Sequence, residues 1–245
     1  GTIESVNMTS TSVPYGIRTN RGARINVTPG SLSKTDKFFA KTLVVGSHTG
    51  QYFKVAQEIS VTAMESRPDL IEKCDLIMFT GGEDVNPAYY KEKPHQNTLY
   101  NPARDAAEAR IWFEAKRLGI PCVGICRGGQ FLNVMNGGRM VQHISGHTSP
   151  HELVTYSGRR MRVSSTHHQL MDPAEGSQLI AYAEGLSSFY EGLSDYQPCT
   201  DNNTILEPEV LLYETNKDLC VQYHPEIMEA ASEGRKYFHE LVKLL

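Results

Sequence analysis

Hydrophobic and polar positions change rhythm near residue 41. Residues 1–41 are polar and punctuated by Pro14, Gly16, Gly22, Pro29 and Gly30. That composition predicts an irregular N-terminal extension with a short hairpin around 15–27. From residue 42 apolar runs take over. Thr42-Leu43-Val44-Val45-Gly46 is short, apolar and ended by glycine, as a buried strand is. A helix over 51–57 and a strand over 59–62 follow. A clearer strand spans 75–80 and stops at Gly81-Gly82. Asn101 is a good N-cap and Pro102 fits a first helical position. Ala107, Ile111, Ala115 and Leu118 then recur at helical spacing until Gly119. A strand over 120–125 leads through Cys126 into a helix over 128–135, closed by Gly137-Gly138.

Alternation of strands and helices over 42–136 predicts an α/β fold with a doubly wound, mostly parallel sheet and helices on both faces. The C-terminal half adds antiparallel strands, expected at 152–156, 161–164, 178–183, 209–214 and 218–222. Asn216-Lys217 falls at the turn of a hairpin between the last two. A helix over 225–245 closes the chain. The expected division is therefore an extension, 1–41, and one catalytic domain, 42–245.

Composition narrows the function. The chain has 245 residues, 40% of them hydrophobic, and a formal net charge of −4. That suffices for one sizeable core and announces no basic face for nucleic acid. No apolar run is long enough for a membrane span, and the N-terminus lacks the pattern of a secretory signal. A cytoplasmic setting is the default expectation. Five cysteines with no Cys-x-x-Cys pair argue against a disulfide framework or a four-thiolate zinc site.

One cysteine stands apart by its context. Gly124-Ile125-Cys126-Arg127-Gly128 places a residue between an incoming strand and an outgoing helix, the Gly-x-nucleophile-x-Gly elbow. The helix N-terminus favours thiolate there, and the Arg127 amide points where an oxyanion would form. A thiol acting on an amide needs a base that can protonate the leaving amine. His224-Pro225-Glu226 offers His224 as that base and Glu226 to orient it. Arg104 and Glu108 form an i,i+4 pair, read as structural. Asp84 suits either a substrate amino group or local backbone amides. His143, His147 and His151 are spaced by four, but Ser145-Gly146 and Ser149-Pro150 break any helix. They are read as loop histidines, and no metal or other cofactor is expected.

These stretches resemble the class I glutamine amidotransferases, and within them the γ-glutamyl hydrolase and γ-glutamyl-GABA hydrolase branch, the C26 peptidases. The resemblance rests on residues 79–90, Arg104-Asp105 with Glu108, residues 124–134, Ser165-Thr166-His167-His168-Gln169, and residues 221–226, in family order. It implies a flavodoxin-like sheet and a Cys126–His224–Glu226 triad. It implies an oxyanion hole from the amides of Arg127 and of the Gly81-Gly82 loop, with Gly82 favoured. Gln130 would help hold a glutamine-like substrate. His167 or His168 would line the pocket, but not both, because neighbouring strand residues face opposite ways. The expected chemistry is cleavage of the γ-amide of glutamine through a Cys126 thioester. Two alternatives stand beside it: a stand-alone hydrolase of γ-glutamyl amines or peptides, and a catalytically silent binding module. In the amidotransferase version the ammonia passes to a synthetase partner. The oligomeric state is left open.

Overall fold

The computed structural model describes residues 16–18, 24–27, 39–46, 50–65 and 68–245. Among them five strands lie parallel. They are β1 (Phe39–Val45), β2 (Ser60–Glu65), β3 (Leu76–Phe79), β4 (Cys122–Ile125) and, much later in the chain, the strand Asp218–Val221. Their order across the sheet is β2-β1-β3-β4 and then Asp218–Val221. Strand order therefore reverses between β1 and β3, the switch at which open α/β sheets leave a crevice beyond their carboxyl ends.

Side chains alternate between two cores, which is why these runs are apolar throughout. Leu43, Val45, Ile77 and Phe79 face one core, together with helices α1, which is Pro102–Leu118, and α2, Arg127–Met135. Val44, Leu76, Met78, Val123 and Ile125 face the other, with the helices Gly50–Ile59 and Glu233–Val242. Helices thus cover both faces, as the alternation predicted. The long helix starts where its cap chemistry says. Asn101 accepts from the amides of Ala103 and Arg104, and Gly119 ends the helix in the left-handed region at φ 71°.

The rest of the sheet is mostly antiparallel. Beyond Asp218–Val221 come Thr204–Tyr213 and then Gln178–Glu184. Gln178–Glu184 also pairs with His151–Thr155, which forms a hairpin with Arg160–Val163. The expected N-terminal hairpin has its two strands, Gly16–Arg18 and Arg24–Val27, and the second adds to Gln178–Glu184 in parallel. Three expectations need correction. The first domain strand begins at Phe39 rather than 42. The strand expected at 209–214 starts at Thr204. The helix expected over 225–245 is a single 3-10 turn, Pro225–Ile227, followed by a helix from Glu233 that Ser232 caps.

Candidate active site

Cys126 sits between β4 and α2 with φ 53° and ψ −113°. A non-glycine residue there is strained by about 1–3 kcal/mol and persists only where its surroundings demand it. The neighbouring glycines show the demand. A Cβ on Gly124 would lie 2.1 Å from the Gly128 carbonyl oxygen, and one on Gly128 would lie 2.2 Å from that of Phe79. Helix α2 is thus pressed onto β3 and β4, and the tight turn at Cys126 leads onto it. The Cys126 amide donates to the Val221 carbonyl, 2.8 Å away, which ties the elbow to the next strand.

That strand delivers the histidine. His224 Nδ1 lies 2.5 Å from Glu226 Oε1, and its Nε2 lies 3.0 Å from Thr166 Oγ1. Burial would lower His224, but the charge on the Cys126 thiolate, a hydrogen bond to that sulfur and Glu226 outweigh it, and its pKa is pushed up to about 10. The structure therefore brings Cys126, His224 and Glu226 together. Cys126 and His224 open onto one cavity of about 380 Å³, with Gly82, Gln130, Asp84 and His168 among the other lining residues. That volume is in the lower part of the range for small-molecule clefts.

Arg127 does more than present its amide. Its guanidinium is buried and reaches Asp105 Oδ1 at 2.5 Å and Glu108 through a second ion pair. Burial raises the pKa of both carboxyl groups against the pull of Arg127. The Gly81-Gly82 loop is held from behind by Arg104, which donates to the carbonyl oxygens of Thr80 and Gly81 and pairs with Glu83 and Glu108. Gly82 has φ 145°, and a Cβ there would lie 2.0 Å from Arg104 Nη1. The structural reading of the Arg104–Glu108 pair thus fits, with a further consequence for loop position.

The remaining candidates divide. Asp84 Oδ2 accepts from the Leu99 amide at 3.0 Å, and Oδ1 pairs with His168 at 3.1 Å. It serves local backbone and a histidine at the same time. His168 is half-buried at the cavity, where the Asp84 carboxylate raises its pKa. His167 is buried and turns its ring towards His147 and His151. The two rings turn to different partners, but both residues are among those lining the cavity, so the expectation that only one of them would do so does not hold. His147 lies in a loop, as read, but is buried; His151 opens the strand His151–Thr155 and is buried too, and His143, in the short strand His143–Ile144, lies apart from them against His95 and Phe189. Gln130 is buried and donates to Gln222, which in turn donates to Cys126 Sγ at 3.8 Å.

Three contributors escaped the sequence reading. Tyr52, on Gly50–Ile59, accepts the Gly81 amide at 3.1 Å. Burial, then the charges of Glu226 and Cys126, raise its pKa. Nothing in its local sequence signals this, because the contact spans 29 residues to the loop. Thr166 and Gln222 lay inside recognisable stretches but carried no role of their own.

With that geometry in place, the chain can be compared with known proteins. The sequence pattern of the Peptidase C26 family matches residues 59–189, just over half the chain and including Cys126. The chain belongs to this family. Within reach of the same sequence are "Putative glutamine amidotransferase Rv2859c" of Mycobacterium tuberculosis, 31% identical over 66% of this chain, and "Putative glutamine amidotransferase-like protein YvdE" of Lactococcus lactis, 28% identical over 69%. The chain spans 54% of the first relative's length and 72% of the second's. Among solved structures, a glutamine amidotransferase of Thermotoga maritima superposes with a TM-score of 0.53 at 16% identity, covering 78% of this chain and 77% of that one. A chain of PurLQS from the same organism gives 0.55 at 17% identity, covering 83% and 97%. At these identities the likeness is one of fold: a mostly parallel mixed sheet between helices. No helix among the described residues is long and apolar enough to cross a membrane.

Proposed function

We propose that this member of the Peptidase C26 family is a thiol amidase that cleaves the γ-amide of glutamine, with Cys126 as nucleophile, His224 as acid and base, and Glu226 as its orienting carboxylate. The observation that carries the reading is the shared cavity. An elbow cysteine and a histidine held by a carboxylate at 2.5 Å open onto it together. The Cys126 thiolate adds to the γ-carbonyl carbon, and the oxygen takes the electron pair. Amides of Gly82 and Arg127 stabilise that oxyanion. Gly82 is preferred to Gly81 because the Gly81 amide is already given to Tyr52. The oxyanion collapses, the carbon–nitrogen bond breaks, and the proton on His224 goes to the departing nitrogen, leaving a glutamyl thioester and ammonia. Water then gives a proton to His224 and adds to the thioester, which releases glutamate and restores the thiolate.

Gln130 and His168 line the same cavity and contact the glutamyl end in this reading. The relatives' names favour ammonia transfer to a synthetase, and the resemblance to the hydrolase branch keeps γ-glutamyl amines as the second substrate class. A substrate panel separates them. Glutamine and γ-glutamyl amines are offered to the purified chain, with and without candidate synthetases, and glutamate release is measured. Slow glutamine cleavage that a partner accelerates supports the amidotransferase, while rapid unaided cleavage of γ-glutamyl amines supports the hydrolase. Undiminished turnover by C126A would sink both.

A further inference from the structure

Behind the wall of the active site lies a second cluster. His147, His151, His167 and Glu209 are all buried, and their facing ligand atoms lie within 4.8 Å of one another. Three ring nitrogens converge on one carboxylate oxygen. His147 Nδ1, His151 Nε2 and His167 Nε2 lie 3.0, 2.9 and 3.4 Å from Glu209 Oε1. Only the His151 contact has hydrogen-bond geometry. His147 Nδ1, His167 Nε2 and the second oxygen of Glu209 have no such partner.

The opposite nitrogen of each ring settles the protons. His147 Nε2 is bonded to the Glu207 carboxylate, His151 Nδ1 faces the Ser149 carbonyl at 3.4 Å, and His167 Nδ1 faces the Gln169 carbonyl at 2.8 Å. Those partners only accept, so the outer nitrogens of His147 and His167 carry the hydrogen, while His151 donates through Nε2 to Glu209. The neutral rings of His147 and His167 then aim lone pairs at an anionic oxygen. One proton can relieve one of these contacts. Protonating all three would crowd three charges into rings whose centroids are 4.7 to 6.2 Å apart.

We propose that His147, His151, His167 and Glu209 form a buried binding site for one zinc-class divalent cation. Imidazole and carboxylate in a closed four-ligand set suit zinc rather than magnesium or calcium. Tetrahedral zinc with bonds of about 2.0–2.1 Å sets its ligands about 3.3–3.4 Å apart. The three nitrogen–oxygen separations of 2.9, 3.0 and 3.4 Å already come near this. A metal-bound histidine gives its other N–H to a carboxylate or carbonyl, as His147 and His167 give theirs to Glu207 and Gln169 here, and the Ser149 carbonyl stands at 3.4 Å to accept from His151 once the ion takes its Nε2. The ion would fasten three segments: His151–Thr155, the 165–169 stretch that carries Thr166 and His168, and Thr204–Tyr213. Spacing in the sequence could not show this, because His167 and Glu209 are distant from the two others.

The test uses untagged protein grown with zinc. Metal content is measured by elemental mass spectrometry, and melting is followed after chelation and on zinc return. The expected result is one zinc per chain and a melting temperature that rises roughly 5–15 °C when zinc is restored to the stripped protein. Cobalt in its place should give the visible bands of a four-coordinate ion. H151Q should lose the metal and the zinc-dependent melting shift, while C126A should keep both. Should H151Q fail to fold, E207Q keeps all four ligands and should bind zinc about 10- to 100-fold more weakly. No metal in the native chain and no zinc or cobalt response in the stripped one would overturn the site. So would wild-type zinc affinity in H151Q, or loss of the metal in C126A.

Discussion

Replacing Tyr52 by Phe removes one oxygen from the hinge between the oxyanion loop and the histidine's carboxylate. The hydroxyl accepts from the Gly81 amide at 3.1 Å, close enough to Glu226 for that charge to raise its pKa. Phenylalanine keeps the ring packed among Val55, Ala56 and Ile59, so no cavity opens. The buried Gly81 amide loses its acceptor, a loss of about 1–3 kcal/mol. For a chain of this size that lowers the melting temperature by roughly 2–12 °C. The loop is then less firmly placed. If one net hydrogen bond of about 0.5–1.5 kcal/mol is felt in the transition state, kcat falls about 2- to 13-fold with KM nearly unchanged. Steady-state glutamate release and differential scanning calorimetry on Y52F read both effects. Wild-type kcat together with wild-type melting would refute the reasoning.

Other expectations concern charge. With the pKa of His224 pushed up to about 10, kcat/KM should fall as pH rises through that value, because the imidazolium that protonates the leaving nitrogen is lost. The histidine's contribution to stability has the same sign: it is fully present below the ordinary value near 6.5 and disappears as pH rises through about 10. E226Q removes one cause of that shift, so its alkaline limb should move to lower pH; an unmoved limb in the pH–rate profile would count against Glu226. R127M strands Asp105 and Glu108 in the interior, a loss of about 3–5 kcal/mol, lessened by the contact that Glu108 keeps with Arg104. Burial already raises the pKa of both acids, so protonation favours the folded variant, and the deficit against wild type in urea melts should be smaller at pH 5 than at pH 8. G128A should lower the melting temperature sharply, because its Cβ would meet the Phe79 carbonyl at 2.2 Å.

Much of the fold was legible because its signals are local. Asn101-Pro102 and Gly119 mark the ends of α1 to the residue, and the apolar runs of the parallel strands need no distant partner to be recognised. Gly124, Cys126 and Gly128 were legible for the same reason: the elbow is a five-residue device. The misreadings arise where packing decides. Pro225-Glu226 suits a helix start, yet the chain turns once and restarts at Ser232. Asn202-Asn203 forms a tight turn, with φ 46° and 66°, between Cys199–Asp201 and Thr204–Tyr213, an Asn-Asn signal that was passed over. Tyr52, and the meeting of His147 and His151 with Glu209, depend on contacts across many residues of chain. No periodicity or spacing encodes those.

The central claim is that Cys126 carries the acyl group. The most direct measurement is rapid acid quenching of the protein during turnover of glutamine, followed by peptide mass spectrometry. The account predicts a glutamyl thioester on the peptide that contains Cys126, absent in C126A and accumulating when the His224-dependent second step is slowed. Turnover with no adduct on that peptide, or an adduct on Cys74, Cys122, Cys199 or Cys220 instead, would contradict it.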